Sequence, residues 1–324
     1  MTIREQDEFP VLRSILAPEA LVALVEGSYG VTAGRLRLIK AVILDSYRVD
    51  TESGPFIFRV YPAQRRVFEE IAAELDFVAF LYERGIGVSI PIATERGERT
   101  VTLQAPEGVR HAALFTYAPG RPPADDLDVI ERYGNVLARM HAVADGFPET
   151  GARTRLDLSC LLDRPLAQLE IVTHRQGDWA ALRRTAKAIR SRLEALPTAA
   201  PHFGYCHGDF CRANAHVSDG GEIMLFDFDF CGPGWRVYDV ATFLSGESVE
   251  VVGAFLEGYE AVRSLTAQER DAIPLLQIAQ RIWMLGLRAS YLDEWGTMRL
   301  TDEFIDRVLE ETRSTFDASD LDEV

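Results

Sequence analysis

Three polar side chains in the second half of the chain have the types and spacing that phosphoryl-transfer chemistry asks for. His207-Gly208-Asp209-Phe210-Cys211-Arg212-Ala213-Asn214 sets a carboxylate five residues ahead of an amide, and Phe226-Asp227-Phe228-Asp229 follows. Moving a phosphoryl group needs a cation across the phosphates, a group that orients the attacking hydroxyl, and positive charge on the phosphate oxygens. Asp209 is the candidate base. Asn214 and Asp227 offer oxygens of the kind magnesium takes, in the small number it needs. Ala215-His216-Val217 reads as a short strand, Ser218-Asp219-Gly220-Gly221 as a turn with positive φ, and Glu222 to Phe226 as the return strand. Such a hairpin brings Asn214 and Asp227 together at its open end. Asp229 falls on the same face as Asp227 if the strand continues, as a supporting or additional metal group. A surface loop before an ordinary strand is the competing reading. It is disfavoured because an apolar strand seldom spends carboxylates without a partner or a metal.

The combined pattern of acid, amide five residues on, hairpin and second acid resembles the kinase catalytic loop. With the trailing Gly232-Pro233-Gly234-Trp235-Arg236-Val237-Tyr238-Asp239-Val240-Ala241, the chain resembles the aminoglycoside phosphotransferase and choline kinase-like superfamily. Within it the pattern is nearest the branch of type II homoserine kinases and the stress-response kinase SrkA. The resemblance runs from about Ile39 to the C-terminus. It implies a two-lobed, protein-kinase-like α+β fold, with a β-rich N-lobe over 1–118 and a mainly helical C-lobe over 119–324. It also implies ATP, with GTP as an alternative, and Mg2+ as cofactors. His207 would brace the loop. Asp239 would accept hydrogen bonds from the loop backbone or cap a helix, and His141 would support the core.

The same resemblance assigns the N-terminal half. Apolar runs at Ala41 to Val49 and Phe56 to Tyr61 flank Asp50-Thr51-Glu52-Ser53-Gly54 and read as a β-hairpin. The second strand would carry the phosphate-binding base, here Arg59 where many members have Lys. Arg keeps the charge and binds phosphate bidentately, although the two side chains are not equivalent. Arg65 to Glu83 has helical periodicity, and Glu74 matches the helix glutamate that pairs with the base. An exposed strand charge and a solvent-facing helix glutamate are the plain alternatives. Phe115, Thr116 and Tyr117 end a strand leading to the hinge and are expected to line the adenine pocket. Leu38 to Ser46 would cover the phosphates, with Lys40 and Ser46 as candidates. No G-x-G-x-x-G is present.

Pro119-Gly120-Arg121-Pro122-Pro123 breaks the pattern at the lobe junction, and the chain turns helical beyond it. Helices are expected at Asp125 to Val143, Leu158 to Leu169, Trp179 to Leu196, Val249 to Arg263, Ala267 to Tyr291 and Asp302 to Arg313. In the family the inserted pair before the loop and the C-terminal helices build the acceptor pocket. Gln280, Arg281, Trp283, Met284, Arg288, Tyr291 and Trp295 are the polar and aromatic candidates there.

Composition bounds these readings. The 324 residues are 47% hydrophobic and 26% charged, with net charge −16. Such acidity argues against nucleic acid, whose binding rests on phosphate neutralisation. It suits a cationic small-molecule acceptor. No apolar run spans a bilayer and the N-terminus has no signal-peptide core, so a cytoplasmic protein with no membrane partner is expected. Cys160, Cys206, Cys211 and Cys231 form no metal spacing and read as small buried hydrophobes. The expected reaction is transfer of the ATP γ-phosphoryl group to a hydroxyl of an aminoglycoside-like antibiotic, an amino alcohol or a related metabolite. A SrkA-like protein Ser/Thr kinase and a nucleotide-binding pseudokinase regulator are the alternatives.

Overall fold

The computed structural model describes residues 9–63, 65–149 and 151–315. The chain divides into two compact units, one of Met1–Glu83 with Val88–Pro119 and the other of Arg84–Gly87 with Gly120–Val324.

The first unit is a twisted antiparallel sheet with a helix on each face. Helix α1 (Pro18–Tyr29) starts with Pro in its first turn and stops at Gly30, whose φ of 63° closes the C-terminus in the left-handed region. Strands β1 (Ala33–Ala41), β2 (Asp45–Thr51) and β3 (Gly54–Val60) form a meander. β3 then pairs with β6 (Gly108–Thr116), which also takes β4 (Pro91–Ile92) and β5 (Val101–Ala105). The two-residue side-chain period of β3 sorts it cleanly. Phe56, Phe58 and Val60 face a core shared with Val25, Tyr29, Leu36, Tyr47, Val49, Ala112 and Leu114. Ile57 and Tyr61 face the opposite core of Leu44, Ile71, Leu75, Ala113 and Phe115. Arg59, between them, shares that second face, the one on which α2 (Phe68–Glu83) lays its buried stripe. The expected hairpin around 50–54 forms. The apolar run from Ala41 to Val49, however, is not one strand: it contains the turn from β1 into β2 at residues 42–44.

The second unit is mainly helical. It contains α3 (Leu127–Ala144), a π turn at Ser159–Asp163 leading into α4 (Arg164–Leu169), and α5 (Gln176–Glu194). A two-stranded pair, β7 (Phe203–Cys206) with β10 (Gly232–Trp235), brackets the segments that carry Asp209, Asn214 and Asp227, and β8 (Ala215–Val217) with β9 (Ile223–Leu225) makes the expected hairpin. Helices α6 (Arg236–Leu244), α7 (Val249–Glu260), α8 (Ala267–Ala289), α9 (Leu292–Trp295) and α10 (Asp302–Thr315) complete it. Asp126 caps α3, and Thr266 with Glu269 forms a capping box on α8. α3 and α7 pack backbone to backbone: a Cβ on Gly134 would lie 2.1 Å from the Phe255 carbonyl oxygen. Among the described residues no helix is long and apolar enough to cross a membrane.

Candidate active site

The loop between β7 and β8 carries the acid and the amide, and the structure brings them into contact. Asn214 Nδ2 donates to Asp209 Oδ2 and to the Asp209 carbonyl, both at 2.8 Å. A 3-10 turn over Arg212–Asn214 makes this possible, because it folds the chain back within five residues. With its nitrogen spent on Asp209, Asn214 presents its oxygen as the group to offer a cation.

The loop is pinned from three sides. Asp239, wholly buried in the first turn of α6, accepts from the backbone N–H of His207 at 2.7 Å and of Gly208 at 2.8 Å. It therefore holds loop backbone, the first of the two roles considered for it. His141 lies within 3.0 Å of the same carboxylate through Nε2 and within 2.9 Å of the Tyr259 hydroxyl through Nδ1. Burial pushes the His141 imidazole down to about 4, with the Asp239 carboxylate working against that shift. Burial alone would raise Asp239, but the hydrogen bond and charge of His141 and the Gly208 N–H hold it below the ordinary carboxylate value. His207 braces the loop as expected. Its Nε2 lies 3.1 Å from the Phe226 carbonyl, and its ring lies against Phe228 with centroids 4.3 Å apart.

Phe210 anchors the loop by packing. It stacks on Tyr133 with centroids 4.5 Å apart, and the Tyr133 hydroxyl donates to the Cys211 carbonyl at 2.9 Å. Arg212 grips both oxygens of Glu247 at 2.7 and 2.6 Å, Asp125 at 2.9 Å and the Pro123 carbonyl at 3.1 Å. Burial pushes the Cys211 thiol up to about 12, and that of Cys206 goes up as well, which disfavours the thiolate form of both.

Beyond the hairpin the chain departs from expectation in one respect. The strand carrying Asp227 ends at Leu225, and Asp227 takes φ 65° and ψ 56°. It is the one non-glycine residue at positive φ among those described. Asp tolerates this region better than most residues, yet the conformation still costs on the order of 1 kcal/mol or more. Asp229 consequently does not share a strand face with Asp227. It sits in a 3-10 turn over Phe228–Phe230, buried, with its carbonyl accepting from Arg153, which also donates to the Cys231 carbonyl at 2.7 Å. Nothing local in the sequence marks Arg153 for this task, since its partners lie 76 and 78 positions away. Gly208 is required where it is: at φ 84°, a Cβ there would meet the Phe230 carbonyl oxygen at 2.1 Å.

In the sheet unit, Arg59 Nη1 lies 3.2 Å from Glu74 Oε1. Arg59 is 6% exposed and Glu74 is fully buried, so neither is a surface charge. The guanidinium also lies 5.4 Å from the Phe115 ring centroid and 5.9 Å from that of Tyr61. Phe115 is thus packed against the Arg59 guanidinium. Thr116 uses its backbone N–H on the Ile90 carbonyl at 3.0 Å and its hydroxyl on the Ile90 N–H at 3.0 Å. Tyr117 carries the Arg48 guanidinium 4.8 Å from its ring centroid. Ser46 lies opposite Arg59 in the β2–β3 register, and Lys40 is exposed on β1.

Of the residues expected near an acceptor, Trp283 is tied to the turn that follows Asp227: its ring meets Phe230 edge-on at 4.8 Å. Arg281 is buried and bonds the Glu311 carbonyl and the Thr315 hydroxyl at 3.1 and 2.7 Å. Arg288 lies over Phe304 at 3.6 Å. Tyr291 and Trp295 stack on each other at 4.2 Å.

A sheet unit with a buried Arg–Glu pair and a helical unit with a braced acid–amide loop, hairpin and second acid define a phosphotransferase of the two-lobed, protein-kinase-like α+β class. Residues 36–273 match the model of the phosphotransferase enzyme family known as APH, and the chain belongs to that family. A protein of Deinococcus radiodurans is 37% identical over 308 residues, covering 92% of this chain and 90% of its own. A homoserine kinase of Phenylobacterium zucineum is 28% identical over 259 residues, covering 71% and 72%. Among solved structures, the amicoumacin kinase hAmiN in complex with AMP-PNP, Ca2+ and Ami superposes with TM-score 0.77 at 18% identity, covering 94% of this chain and 93% of that one. The microcompartment-associated aminopropanol kinase gives 0.76 at 23% identity, covering 92% and 95%. Both likenesses establish the fold.

Proposed function

We propose that this phosphotransferase moves the γ-phosphoryl group of ATP to a hydroxyl of a small molecule, in the class of amino alcohols and aminoglycoside-like compounds. The observation that carries the reading is the Asp209–Asn214 contact, with the amide nitrogen turned to the acid at 2.8 Å. It orients both groups before any substrate arrives, which is the preorganisation that lowers a barrier. Asp209 accepts the proton of the acceptor hydroxyl, or holds that hydroxyl in line. The Asn214 oxygen and the Asp227 carboxylate would hold Mg2+. An all-oxygen donor set and a strained, αL-held carboxylate suit a hard cation. When bound, that ion would supply positive charge to offset the negative charge of the phosphates.

In the sheet unit, Arg59 steadies phosphate oxygens, and Glu74 fixes where its guanidinium points. Phe115, Thr116 and Tyr117 line the adenine site. The net charge of −16 favours a cationic acceptor. The names of relatives and fold neighbours, a homoserine kinase and an aminopropanol kinase among them, support an amine-bearing alcohol.

The test is calorimetric titration with ATP and GTP, with and without Mg2+, followed by turnover with homoserine, amino alcohols and aminoglycosides. Magnesium-dependent ATP binding and one amine-bearing alcohol that turns over is the expected result. Nucleotide binding with turnover on a protein serine instead would replace the acceptor class. Failure to bind any nucleotide would overturn the reading.

A further inference from the structure

Residues 13–16 run as an irregular strap ahead of α1, and a buried charge network ties them to the turn between β1 and β2. Arg13 donates to the Val42 carbonyl, inside that turn, and to Asp45 Oδ1 at the start of β2. The other Asp45 oxygen accepts from Arg110 Nη2 at 2.7 Å, and neither side chain is exposed to solvent. Arg110 also reaches the Ser14 carbonyl at 3.0 Å and the Tyr61 carbonyl at 2.9 Å. Three further bonds hold the strap: Ser14 donates to Glu107 through its backbone N–H at 3.3 Å and its Oγ at 2.7 Å, and the Tyr47 hydroxyl donates to the Leu16 carbonyl at 2.8 Å.

The two guanidiniums on Asp45 are not equivalent. Arg110 binds it from within the sheet, where its remaining bonds go to the strap and to β3 and its continuation. Arg13 binds it from the strap, keeps 12% side-chain exposure, and adds a bond to the turn's own backbone. Loss of Arg13 leaves Asp45 still paired, so the core stays closed. It removes the donor that holds the turn at Val42.

We infer that Arg13 and Asp45 are positioning residues for the nucleotide phosphates, and that the strap holds the β1–β2 turn where it covers them. This rests on the proposed phosphotransferase reading and on the family resemblance, which makes Leu38 to Ser46 the phosphate-covering segment; in the register Ser46 lies opposite Arg59, the proposed phosphate-binding cation. A loose turn costs binding of the phosphates and leaves the nucleoside contacts alone, because adenine is assigned to the end of β6.

The experiment compares wild type with R13M and R13K in the full chain, titrating Mg·ATP and adenosine separately and recording thermal unfolding. Loss of one charge-assisted bond to the turn should weaken Mg·ATP roughly three- to tenfold in R13M. Adenosine affinity should hold, the unfolding midpoint should stay within about 4 °C, and R13K should fall between the two. Mg·ATP affinity equal to wild type would overturn the inference. So would an equal loss for ATP and adenosine, which marks general loosening. If R13M unfolds early, the same comparison is read in R13K, which keeps the charge but not the two-pronged geometry. A wild-type protein that binds neither ligand fails the phosphotransferase reading itself, and removes the premise of the strap.

Discussion

Glu74 in the sheet unit and Asp239 in the helical unit are both wholly buried carboxylates, yet they hold different things. Glu74 holds a side-chain charge, the Arg59 guanidinium at 3.2 Å. Asp239 holds backbone, the N–H groups of His207 and Gly208 at 2.7 and 2.8 Å, with His141 behind it. A guanidinium at the end of a long side chain can swing to meet a phosphate while keeping one carboxylate contact. A backbone clamped at two successive N–H groups cannot move without breaking both. The loop that carries Asp209 is therefore placed by the frame, whereas the Arg59 guanidinium is placed by a partner. Burying a carboxylate is costly without such pairing, so each acid marks what its unit needs to fix.

Asp239→Asn breaks this comparison hardest. An amide in place of the carboxylate sets an N–H₂ group against backbone donors. A loss of about 2–4 kcal/mol is expected, seen as an unfolding midpoint lower by roughly 5–10 °C. Turnover should drop by on the order of 10²-fold through displacement of the loop. Full turnover in this variant would mean that the loop needs no clamp.

The next effect is one of acidity. His141 is depressed to about 4 in the folded protein against 6.5 for the free side chain. A depressed pKa means that the unfolded chain binds the extra proton first. Stability is then intact above pH 6.5 and is lost as pH falls toward 4, by about 2 kcal/mol between pH 7 and 5. Thermal unfolding across that range should show the loss, and His141→Gln should flatten it. An unchanged acid limb in His141→Gln would assign the loss elsewhere.

Glu74→Gln should act on the cation side alone. KM for the nucleotide should rise roughly tenfold, with kcat changed less, since the guanidinium loses its charge-assisted partner. A fall in kcat at constant KM would place Arg59 in the chemical step and undo the contrast drawn with Asp239.

Much of the helical unit was legible, because its signals are local. The Asp209-to-Asn214 spacing, the Gly220-Gly221 turn and the apolar periods of α3, α7, α8 and α10 each lie within one short window. The Glu74–Arg59 pair was legible only through the family resemblance, which matches Glu74 to the helix glutamate that pairs with a strand cation. Other features were not local. Alternation in Ala33–Ala41 is hidden by exposed Leu38 and Ile39, which left β1 unread and merged the β1–β2 turn into a longer strand. β7 and β10 are short and built from Gly, Pro and aromatics, so they give no period. The shared face considered for Asp229 requires the strand to continue, and Asp227 ends that condition with φ 65°. The Arg13–Asp45 and His141–Asp239 pairs span 32 and 98 positions, and no pattern in sequence joins them.

The most direct test of the central claim is Asp209→Ala, assayed for single-turnover phosphoryl transfer and for Mg·ATP binding on the same preparation. Transfer should fall by on the order of 10³-fold or more, while Mg·ATP affinity stays within about threefold of wild type. Transfer at the wild-type rate would contradict the assignment of Asp209 as the group that receives the acceptor's proton.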